Sequence, residues 1–270
     1  MNNIRIMAHR GYPVAYPENT MISFKAASKY NPEIIETDVR KTKDGVLVIN
    51  HDEVIDRTSN GTGLLRDYTY EELLNFDFGN PKQFGDKYKG TKIVTLKEAI
   101  TFFETTDIEE YWLEVKEPEN IDLMCETVIS LKASHKCVFN LWSLKDAKEI
   151  RKYTKDYLIN HTGILEEFVQ EENREAFIKE CVKEGINKGS VEFGTFFNLD
   201  PKDKLEFIKL CCDNNIKLGI WTMDDIYSIA RAVCFNMNIC CGDKFIDFSF
   251  DNFTTNNVVL GLKFLGRIKE

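Results

Sequence analysis

Short β-strand-like runs alternate with amphipathic helical stretches along almost all of the 270 residues. The pattern predicts eight strands, at residues 4–9, 34–39, 111–116, 137–141, 157–161, 190–193, 218–222 and 245–248. Alternation of this kind favours a parallel sheet with helices between the strands, and eight strands can close a (β/α)₈ TIM barrel. A doubly wound open α/β sheet remains an alternative, because periodicity alone does not show closure.

Helix starts between the predicted strands carry recognisable capping signals. Thr95 and Glu98 have the spacing of a capping box, in which the two side chains satisfy free amides at a helix start. Asp200-Pro201 puts proline at the first position of another helix. Thr20 and Ser143 are suitable N-caps after the first and fourth strands.

One region breaks this alternation. Lys43-Asp44-Gly45 is a hairpin-type turn, so residues 46–50 are expected to return antiparallel beside the second strand. Residues 53–91 are too long for an ordinary connection and are predicted to form an excursion over the barrel mouth. The sequence has no linker or internal repeat, which predicts a single domain over residues 1–270.

Composition restricts the classes of partner and the cellular location. Hydrophobic residues make up 43% and charged residues 29%, an ordinary globular balance. The net charge of −9 gives no field that gathers polyanions, which argues against nucleic acid. No apolar run approaches the ~20 residues that cross a bilayer, and the start lacks a signal-peptide pattern. Eight cysteines without CxxC spacing are interpreted as free thiols, so a cytoplasmic protein without stable membrane insertion is predicted.

The chain has only four histidines. His9 ends the first predicted strand and His51 ends the returning strand, where a histidine could transfer protons near neutral pH. For either residue alone, a hydrogen-bonded structural role is about equally plausible. A structural role is favoured for His135, in a polar loop, and for His161, at a strand end or in the core.

Acidic residues form a second group. Glu36 and Asp38 are two apart on a strand and therefore share a face, and Glu114 and Lys116 do the same on the next barrel strand. Carboxylates that point into a barrel are costly unless they are paired or bind a cation. Three of them suit a hard divalent cation such as Mg²⁺ or Ca²⁺. The alternative is salt bridging, of Glu114 with Lys116 or of Glu36 with Arg40.

Arg10 directly follows His9 and supplies a third element. Its planar fork of donors matches phosphate oxygens, and Gly11 lets the backbone approach a ligand closely. Lys116 would add a second positive charge. A lone arginine at a strand end is more often a salt-bridge residue, so this interpretation depends on its companions.

Taken together, these motifs resemble the glycerophosphodiester phosphodiesterase family in order and spacing. The match is dense over the first half of the chain. It consists of His9-Arg10-Gly11, Pro17-Glu18-Asn19-Thr20, Glu36-Thr37-Asp38-Val39, Lys43-Asp44-Gly45, His51-Asp52, Arg57-Thr58-Ser59-Asn60-Gly61-Thr62-Gly63 and Glu114-Val115-Lys116. In the second half, Leu218-Gly219-Ile220-Trp221-Thr222 resembles the family's seventh strand and aromatic pocket wall. The last strand lacks the family's Gly-Ile-Ile-Thr-Asp-x-Pro ending, which leaves substrate choice open.

The resemblance implies a metal-dependent hydrolase that releases glycerol 3-phosphate and an alcohol from a glycerophosphodiester. The implied functional groups are the catalytic pair His9 and His51, the substrate-binding residues Arg10, Lys116 and Trp221, and the metal ligands Glu36, Asp38 and Glu114. One Mg²⁺ or Ca²⁺ ion is the expected cofactor, with Mn²⁺ a further candidate. The family's mechanism suggests that a glycerol hydroxyl attacks first and that water then opens a cyclic phosphate.

Other functions use the same residues. A lysophospholipase D or sphingomyelinase D-like enzyme would act on a lipid diester, with the aromatic residues of the excursion shaping an apolar entrance. We favour a small core of the excursion itself as the role of those aromatics. A non-catalytic barrel that binds a phosphorylated ligand is the alternative from another class. The sequence does not decide the oligomeric state.

Overall fold

The computed structural model describes residues 4–235, 237–241 and 244–268, and within 237–241 and 244–247 it describes the backbone alone. The strands are β1 (Arg5–His9), β2 (Ile34–Lys41), β3 (Leu47–Ile49), β4 (Glu110–Val115), β5 (Cys137–Leu141), β6 (Leu158–His161), β7 (Ile186–Glu192), β8 (Lys217–Trp221), β9 (Met237–Cys241), β10 (Lys244–Phe248) and β11 (Asn252–Thr255).

Helices separate most of these strands. They are α1 (Met21–Ser28), α2 (Tyr70–Leu73), α3 (Pro81–Phe84), α4 (Leu96–Phe103), α5 (Ile121–Ser130), α6 (Leu144–Tyr153), α7 (Ile164–Gln170), α8 (Arg174–Lys183), α9 (Phe193–Asn198), α10 (Pro201–Asp213), α11 (Ile226–Val233) and α12 (Val258–Phe264). None of the described helices combines the length and the apolar character that a bilayer crossing requires.

The main sheet has the strand order β1-β11-β8-β7-β6-β5-β4-β2-β3, and β1 also pairs with β2. Apart from β3, which pairs antiparallel with β2, the pairs with a described register in this sheet are parallel. The fold is therefore the predicted (β/α)₈ TIM barrel.

Two compact units make up the chain. The amino-terminal unit comprises Ala8–Cys137 and Asn256–Val258, and the carboxy-terminal unit comprises Met1–Met7, Val138–Thr255 and Val259–Glu270. The single domain expected over residues 1–270 stays a prediction.

In the amino-terminal unit, β2 is buried along most of its length and lies between β3 and β4. The turn at Gly45, where φ is +85°, reverses the chain so that Ile49 pairs with Val39. The predicted antiparallel return is confirmed. A central strand buried on both faces normally reads as a continuous apolar run, so the acidic residues inside β2 mark it as unusual.

The aromatic residues of the excursion form a small core in this unit. Phe78 belongs to a cluster of buried side chains that includes Leu73, and Tyr68, Tyr70 and Phe76 pack against this cluster. The other buried members of the cluster are Val48, Ile55, Leu65 and Ile93, and Val46 packs against it. The interpretation as the excursion's own core is confirmed for Tyr68, Tyr70, Phe76 and Phe78, whereas Tyr88 packs against Phe84 and against Tyr16 of the loop after β1. The excursion also contacts the loop after β1, where the Tyr88 hydroxyl donates a hydrogen bond of 2.6 Å to the Ala15 carbonyl.

In the carboxy-terminal unit, the predicted eighth barrel strand is wrong. Residues 245–248 do lie in a strand, but this strand, β10, pairs antiparallel with β9 in a separate two-stranded sheet. The eighth parallel strand is β11, in which Asn252 pairs with Gly219 of β8. A short apolar run marked β10 as a strand, but such a run does not identify the pairing partner. The eighth barrel strand, β11, was not predicted because its sequence, Asn-Phe-Thr-Thr, is largely polar.

Four predicted helix caps are confirmed. Thr95 and Glu98 form a complete capping box at the start of α4. Thr20, Ser143 and Asp200 each accept a hydrogen bond from a first-turn amide of α1, α6 and α10, respectively. Thr20 matters most for the site, because it fixes where α1 begins after the loop that follows β1.

The cysteines whose side chains the structure describes do not form disulfide bonds with one another. The buried ones are Cys125, Cys137, Cys181 and Cys211, and Cys212 and Cys234 are more accessible. The side chains of Cys240 and Cys241 lie outside the described residues.

Candidate active site

The three predicted carboxylates converge because of strand register. Asp38 of β2 pairs with Glu114 of β4, and Glu36 lies two residues before Asp38 on the same face. One carboxylate oxygen from each of the three residues lies within 4.8 Å of the others. All three side chains are buried, with 2% of Glu36, none of Asp38 and 7% of Glu114 exposed.

Asp38 contacts three polar side chains. Its Oδ2 accepts a hydrogen bond of 2.7 Å from the amide of Asn19 and lies 3.2 Å from Nε of Arg10. Its Oδ1 lies 3.0 Å from Nζ of Lys116, which also pairs with Glu114. Burial opposes ionisation, but the charges of Arg10 and Lys116 hold the pKa of Asp38 well below its usual range.

Glu36 has the opposite electrostatic environment. Among the described residues, no donor hydrogen-bonds either of its carboxylate oxygens. Burial, followed by the negative charges of Asp38 and Glu114, raises the pKa of Glu36 well above its ordinary value. A buried acid without donors is unfavourable, and a hard divalent cation would supply the missing positive charge and accept oxygen ligands. The donor set therefore fits such an ion.

His9 lies beside this cluster at the end of β1. Its Nε2 is 3.7 Å from Oε2 of Glu36, and its Nδ1 is 2.8 Å from Oδ1 of Asn256. Its side chain is 15% exposed. Burial, aided by the neighbouring charge of Arg10, lowers the pKa of His9 to about 4.

The backbone after β1 holds Arg10 in a strained conformation. Arg10 has a φ of +55°, which is uncommon for a residue with a side chain, and Gly11 follows with a φ of +91°. A Cβ atom on Gly11 would lie 2.4 Å from Oγ of Ser23 in α1. The same Oγ accepts a hydrogen bond of 2.7 Å from the Tyr12 amide. The close approach of the loop to α1 thus requires glycine at position 11.

His51 reaches the site through the antiparallel return of β3. The backbone N–H of Asn50 donates a hydrogen bond of 3.0 Å to the Asp38 carbonyl, which places His51, the next residue, beside β2. Nδ1 of His51 lies 2.7 Å from Oδ1 of Asp52. Burial acts to raise the pKa of Asp52, but the hydrogen bonds and charges of Arg57 and His51 lower it to about 2.

Two further side chains connect these groups. Nη1 of Arg10 donates a hydrogen bond of 3.0 Å to Glu18, and both carboxylate oxygens of Glu18 accept hydrogen bonds from Arg57. Burial acts to raise the pKa of Glu18, but the hydrogen bonds and charges of Arg57 and Arg10 lower it below its ordinary value. The amino-terminal unit thus brings together His9, Arg10, Glu36, Asp38, His51, Glu114 and Lys116.

Trp221, the remaining predicted site residue, ends β8 in the carboxy-terminal unit. Its ring centroid lies 6.0 Å from that of Trp142 in an edge-to-face arrangement. His161 is buried in the same unit, where its Nε2 lies 2.9 Å from Glu167. His135 is exposed in a turn. The substrate-binding role of Trp221 stays a prediction.

Sequence reasoning missed Asn256 and gave no role to Asn19, Glu18, Asp52 or Arg57. The last four lie inside the quoted motifs, and their position there was the available signal. Asn256 follows β11, and the misassigned eighth strand hid its place at a strand end.

Comparison with known proteins identifies the family. Residues 9–244 match the model of the glycerophosphoryl diester phosphodiesterase family. The chain is 31% identical over 238 residues to a glycerophosphodiester phosphodiesterase of Caldanaerobacter subterraneus subsp. tengcongensis, which covers 84% of this chain and 89% of that protein. A glycerophosphodiester phosphodiesterase of Bacillus altitudinis is 53% identical over 96 residues, 36% of this chain and 38% of that protein.

A solved structure agrees with both sequence matches. The crystal structure of a glycerophosphodiester phosphodiesterase from Thermotoga maritima superposes with a TM-score of 0.71 at 27% identity, covering 97% of this chain and 99% of that one. The chain therefore belongs to the glycerophosphoryl diester phosphodiesterase family.

Proposed function

We propose that this enzyme hydrolyses glycerophosphodiesters to glycerol 3-phosphate and an alcohol, using a divalent cation and the histidines His9 and His51. The observation that carries the proposal is the buried cluster of Glu36, Asp38 and Glu114, with His9 Nε2 3.7 Å from Glu36. The relative that matches along 89% of its own length is named a glycerophosphodiester phosphodiesterase.

Charge is the first requirement of this reaction. A phosphodiester carries one negative charge and develops more on its equatorial oxygens as the new P–O bond forms. Arg10 and Lys116 supply fixed positive charge next to Asp38, at 3.2 Å and 3.0 Å. Their pairing with buried carboxylates holds both cations in place before substrate arrives, so little reorganisation is needed during the reaction.

Glu36, Asp38 and Glu114 would hold the cation. When bound, the ion supplies Lewis-acid polarisation of a phosphoryl oxygen. Oxygen ligands favour Mg²⁺ or Ca²⁺, with Mn²⁺ a further candidate. Asn19 keeps Asp38 oriented, since its amide donates to Asp38 at 2.7 Å while its own oxygen accepts from Thr37 at 2.8 Å.

His9 and His51 would carry the protons. In the first step, one histidine removes the proton of the adjacent glycerol hydroxyl as its oxygen attacks phosphorus. The other protonates the alkoxide that leaves, which gives a cyclic phosphate and the free alcohol. In the second step, a water molecule opens the ring with the same groups acting in reverse, and glycerol 3-phosphate is released.

The test is turnover by the purified protein. With Mg²⁺, Ca²⁺ or Mn²⁺ present, glycerophosphocholine should yield choline and glycerol 3-phosphate in equal amounts, and lysophosphatidylcholine should be a much poorer substrate. A preference for lysophosphatidylcholine would favour the lipid phosphodiesterase alternative. Absence of turnover on any glycerophosphodiester with every cation would overturn the proposal. The cytoplasmic location stays a prediction.

A further inference from the structure

A single guanidinium group bridges two carboxylates of the candidate site. Nε and Nη2 of Arg57 donate to Asp52 at 2.7 Å and 3.1 Å. Nη1 and Nη2 donate to Glu18 at 2.6 Å and 2.8 Å. Both interactions are bidentate, so the planar fork fixes the relative position of two segments that are 34 residues apart in the sequence.

The first carboxylate leads to His51. Oδ1 of Asp52, which accepts from Arg57, lies 2.7 Å from Nδ1 of His51. A carboxylate at Nδ1 selects the tautomer with hydrogen on that atom and leaves Nε2 available for proton transfer. Arg57 fixes the rotation of the Asp52 carboxylate, and through it the orientation of the His51 ring.

The second carboxylate leads to Arg10. Oε1 of Glu18 accepts both from Nη2 of Arg57 at 2.8 Å and from Nη1 of Arg10 at 3.0 Å. The Glu18 side chain is only 10% exposed. It therefore holds the Arg10 guanidinium from one side, while Asp38 lies on the other side, 3.2 Å from Nε.

The loop backbone has other means of support. The side-chain amide of Asn50 donates from Nδ2 to the Asp52 backbone carbonyl at 2.7 Å, and its Oδ1 accepts from the Thr58 hydroxyl at 3.3 Å. The Ser59 amide donates to the Ile55 carbonyl at 3.0 Å. The Arg57 side chain is 43% exposed. None of these three contacts involves the Arg57 side chain, so we expect the loop to keep its course when that side chain is removed.

From this geometry we propose that Arg57 is a positioning residue that sets His51 through Asp52 and Arg10 through Glu18. The inference rests on the proposed function. Arg57 itself transfers no proton in this arrangement and acts only through the two carboxylates. Lysine cannot replace it, because one ammonium group lacks the planar fork that reaches both carboxylates bidentately.

The kinetic test compares Arg57→Ala and Arg57→Lys with the wild type on glycerophosphocholine. Loss of a residue that orients a catalytic group typically costs ~10–100-fold in activity. We expect kcat to fall by that factor in both variants, while the melting temperature changes little. Arg174→Ala is the matched control, because Arg174 also bridges two carboxylates, Asp203 and Glu206, on the helices of the carboxy-terminal unit. It should leave kcat unchanged.

A double-mutant cycle tests whether Arg57 acts through Asp52. In an Asp52→Ala background, Arg57→Ala should reduce kcat by a smaller factor than it does in the wild type, because the route to His51 is already broken and only the route through Glu18 to Arg10 remains. Fully additive losses would overturn the proposal, as would kcat within about twofold of wild type in both Arg57 variants. A raised KM with unchanged kcat would indicate direct substrate contact and would also overturn it.

Nitrogen NMR of the His51 ring gives a readout that does not require turnover. The wild type should show hydrogen on Nδ1, and Arg57→Ala should show a mixture of both tautomers. Identical ring spectra would count against the positioning role even for an inactive protein. An inactive wild type with the expected spectra would count against the proposed reaction alone.

Discussion

Nδ1 of His9 lies 2.8 Å from Oδ1 of Asn256, a residue 247 positions away in the sequence. This contact joins the end of β1 to the residue that follows β11 (Asn252–Thr255). The amide oxygen is an acceptor, so it selects the tautomer with hydrogen on Nδ1 and leaves Nε2 facing Glu36 at 3.7 Å.

Asn256→Leu should therefore slow the proposed reaction. Nδ1 of His9 would lose its hydrogen bond to Asn256, so the orientation of the ring would no longer be fixed from that side. We expect kcat to fall by about tenfold. Steady-state assays on glycerophosphocholine provide the measurement, and Asn198→Leu, on the exposed end of α9 (Phe193–Asn198), is the control. Equal kcat values for the two variants would mean that Asn256 does not orient His9.

His51→Ala should reduce kcat by at least ~10²-fold, the usual contribution of a general acid or base. The fold should persist, because the His51 side chain is 33% exposed and its loss leaves no large cavity. His135→Ala, at an exposed turn, is the matched control and should retain full activity. A His51 variant that keeps more than about a tenth of the wild-type rate would contradict the proton-transfer role.

Glu36→Gln separates metal binding from stability. Without a cation, the variant should be at least as stable as the wild type, since it removes a buried carboxylate that lacks a described hydrogen-bond donor. With Mn²⁺ or Ca²⁺ added, the wild type should gain thermal stability by mass action, and the variant should gain much less. EDTA should abolish turnover in the wild type.

Calorimetric titration of the same cations gives the affinity directly. Glu36→Gln should weaken binding by at least about tenfold. Glu126→Gln, at an exposed position of α5 (Ile121–Ser130), should bind like the wild type. Equal affinities in all three proteins, or full activity in EDTA, would remove the acidic cluster from the mechanism.

The sequence was most informative where local pattern and chemistry coincide. Glu36 and Asp38, two apart on a predicted strand, indicated a common face and a cation, and the structure brings them within 4.8 Å of Glu114. The capping box at Thr95 and the turn at Gly45 were also readable, because each depends on residues only a few positions apart.

Long-range relationships were the part that sequence could not supply. A short apolar run predicted a strand at residues 245–248 correctly, but its partner is β9 (Met237–Cys241), and the polar β11 occupies the barrel position instead. For the same reason Asn256 was not recognised beside His9. The double bridge of Arg57 likewise depends on the three-dimensional approach of Glu18 and Asp52.

Gly11→Ala should destabilise the protein and impair the site. The new methyl group would lie 2.4 Å from Ser23 Oγ in a backbone with a φ of +91°, so the loop carrying Arg10 must shift. Gly90→Ala is a matched control, because Gly90 has a φ of +89° and nothing within 4 Å of its added Cβ. Both variants bear the backbone strain, and only Gly11→Ala bears the clash.

The difference between the two glycine variants isolates that clash. In denaturant unfolding, Gly11→Ala should lose ~1–3 kcal/mol more than Gly90→Ala, the usual cost of overpacking. Equal losses would show that the loop after β1 (Arg5–His9) relaxes freely and that its fit to α1 (Met21–Ser28) does not require glycine.

The ion pair between Asp52 and Arg57 predicts a defined pH dependence of stability. The pKa of Asp52 falls from 3.8 to about 2 in the folded protein, through Arg57 and His51 acting against burial. A carboxyl with a lowered pKa contributes stability that is fully present above its unfolded value. That contribution is lost as the pH falls from about 3.8 toward 2.

Asp52→Asn should therefore lower the free energy of unfolding at pH 7 and at pH 5, and by a smaller amount at pH 3. Because the pair is partly exposed, the loss should be about 1 kcal/mol or less. Asp107→Asn, at an exposed position, serves as the control in the same denaturant titrations. A loss of the same size at pH 7 and pH 3 would mean that the charge of Asp52 is not the source of its stabilising effect, because a contribution from that charge decreases as the pH falls below about 3.8.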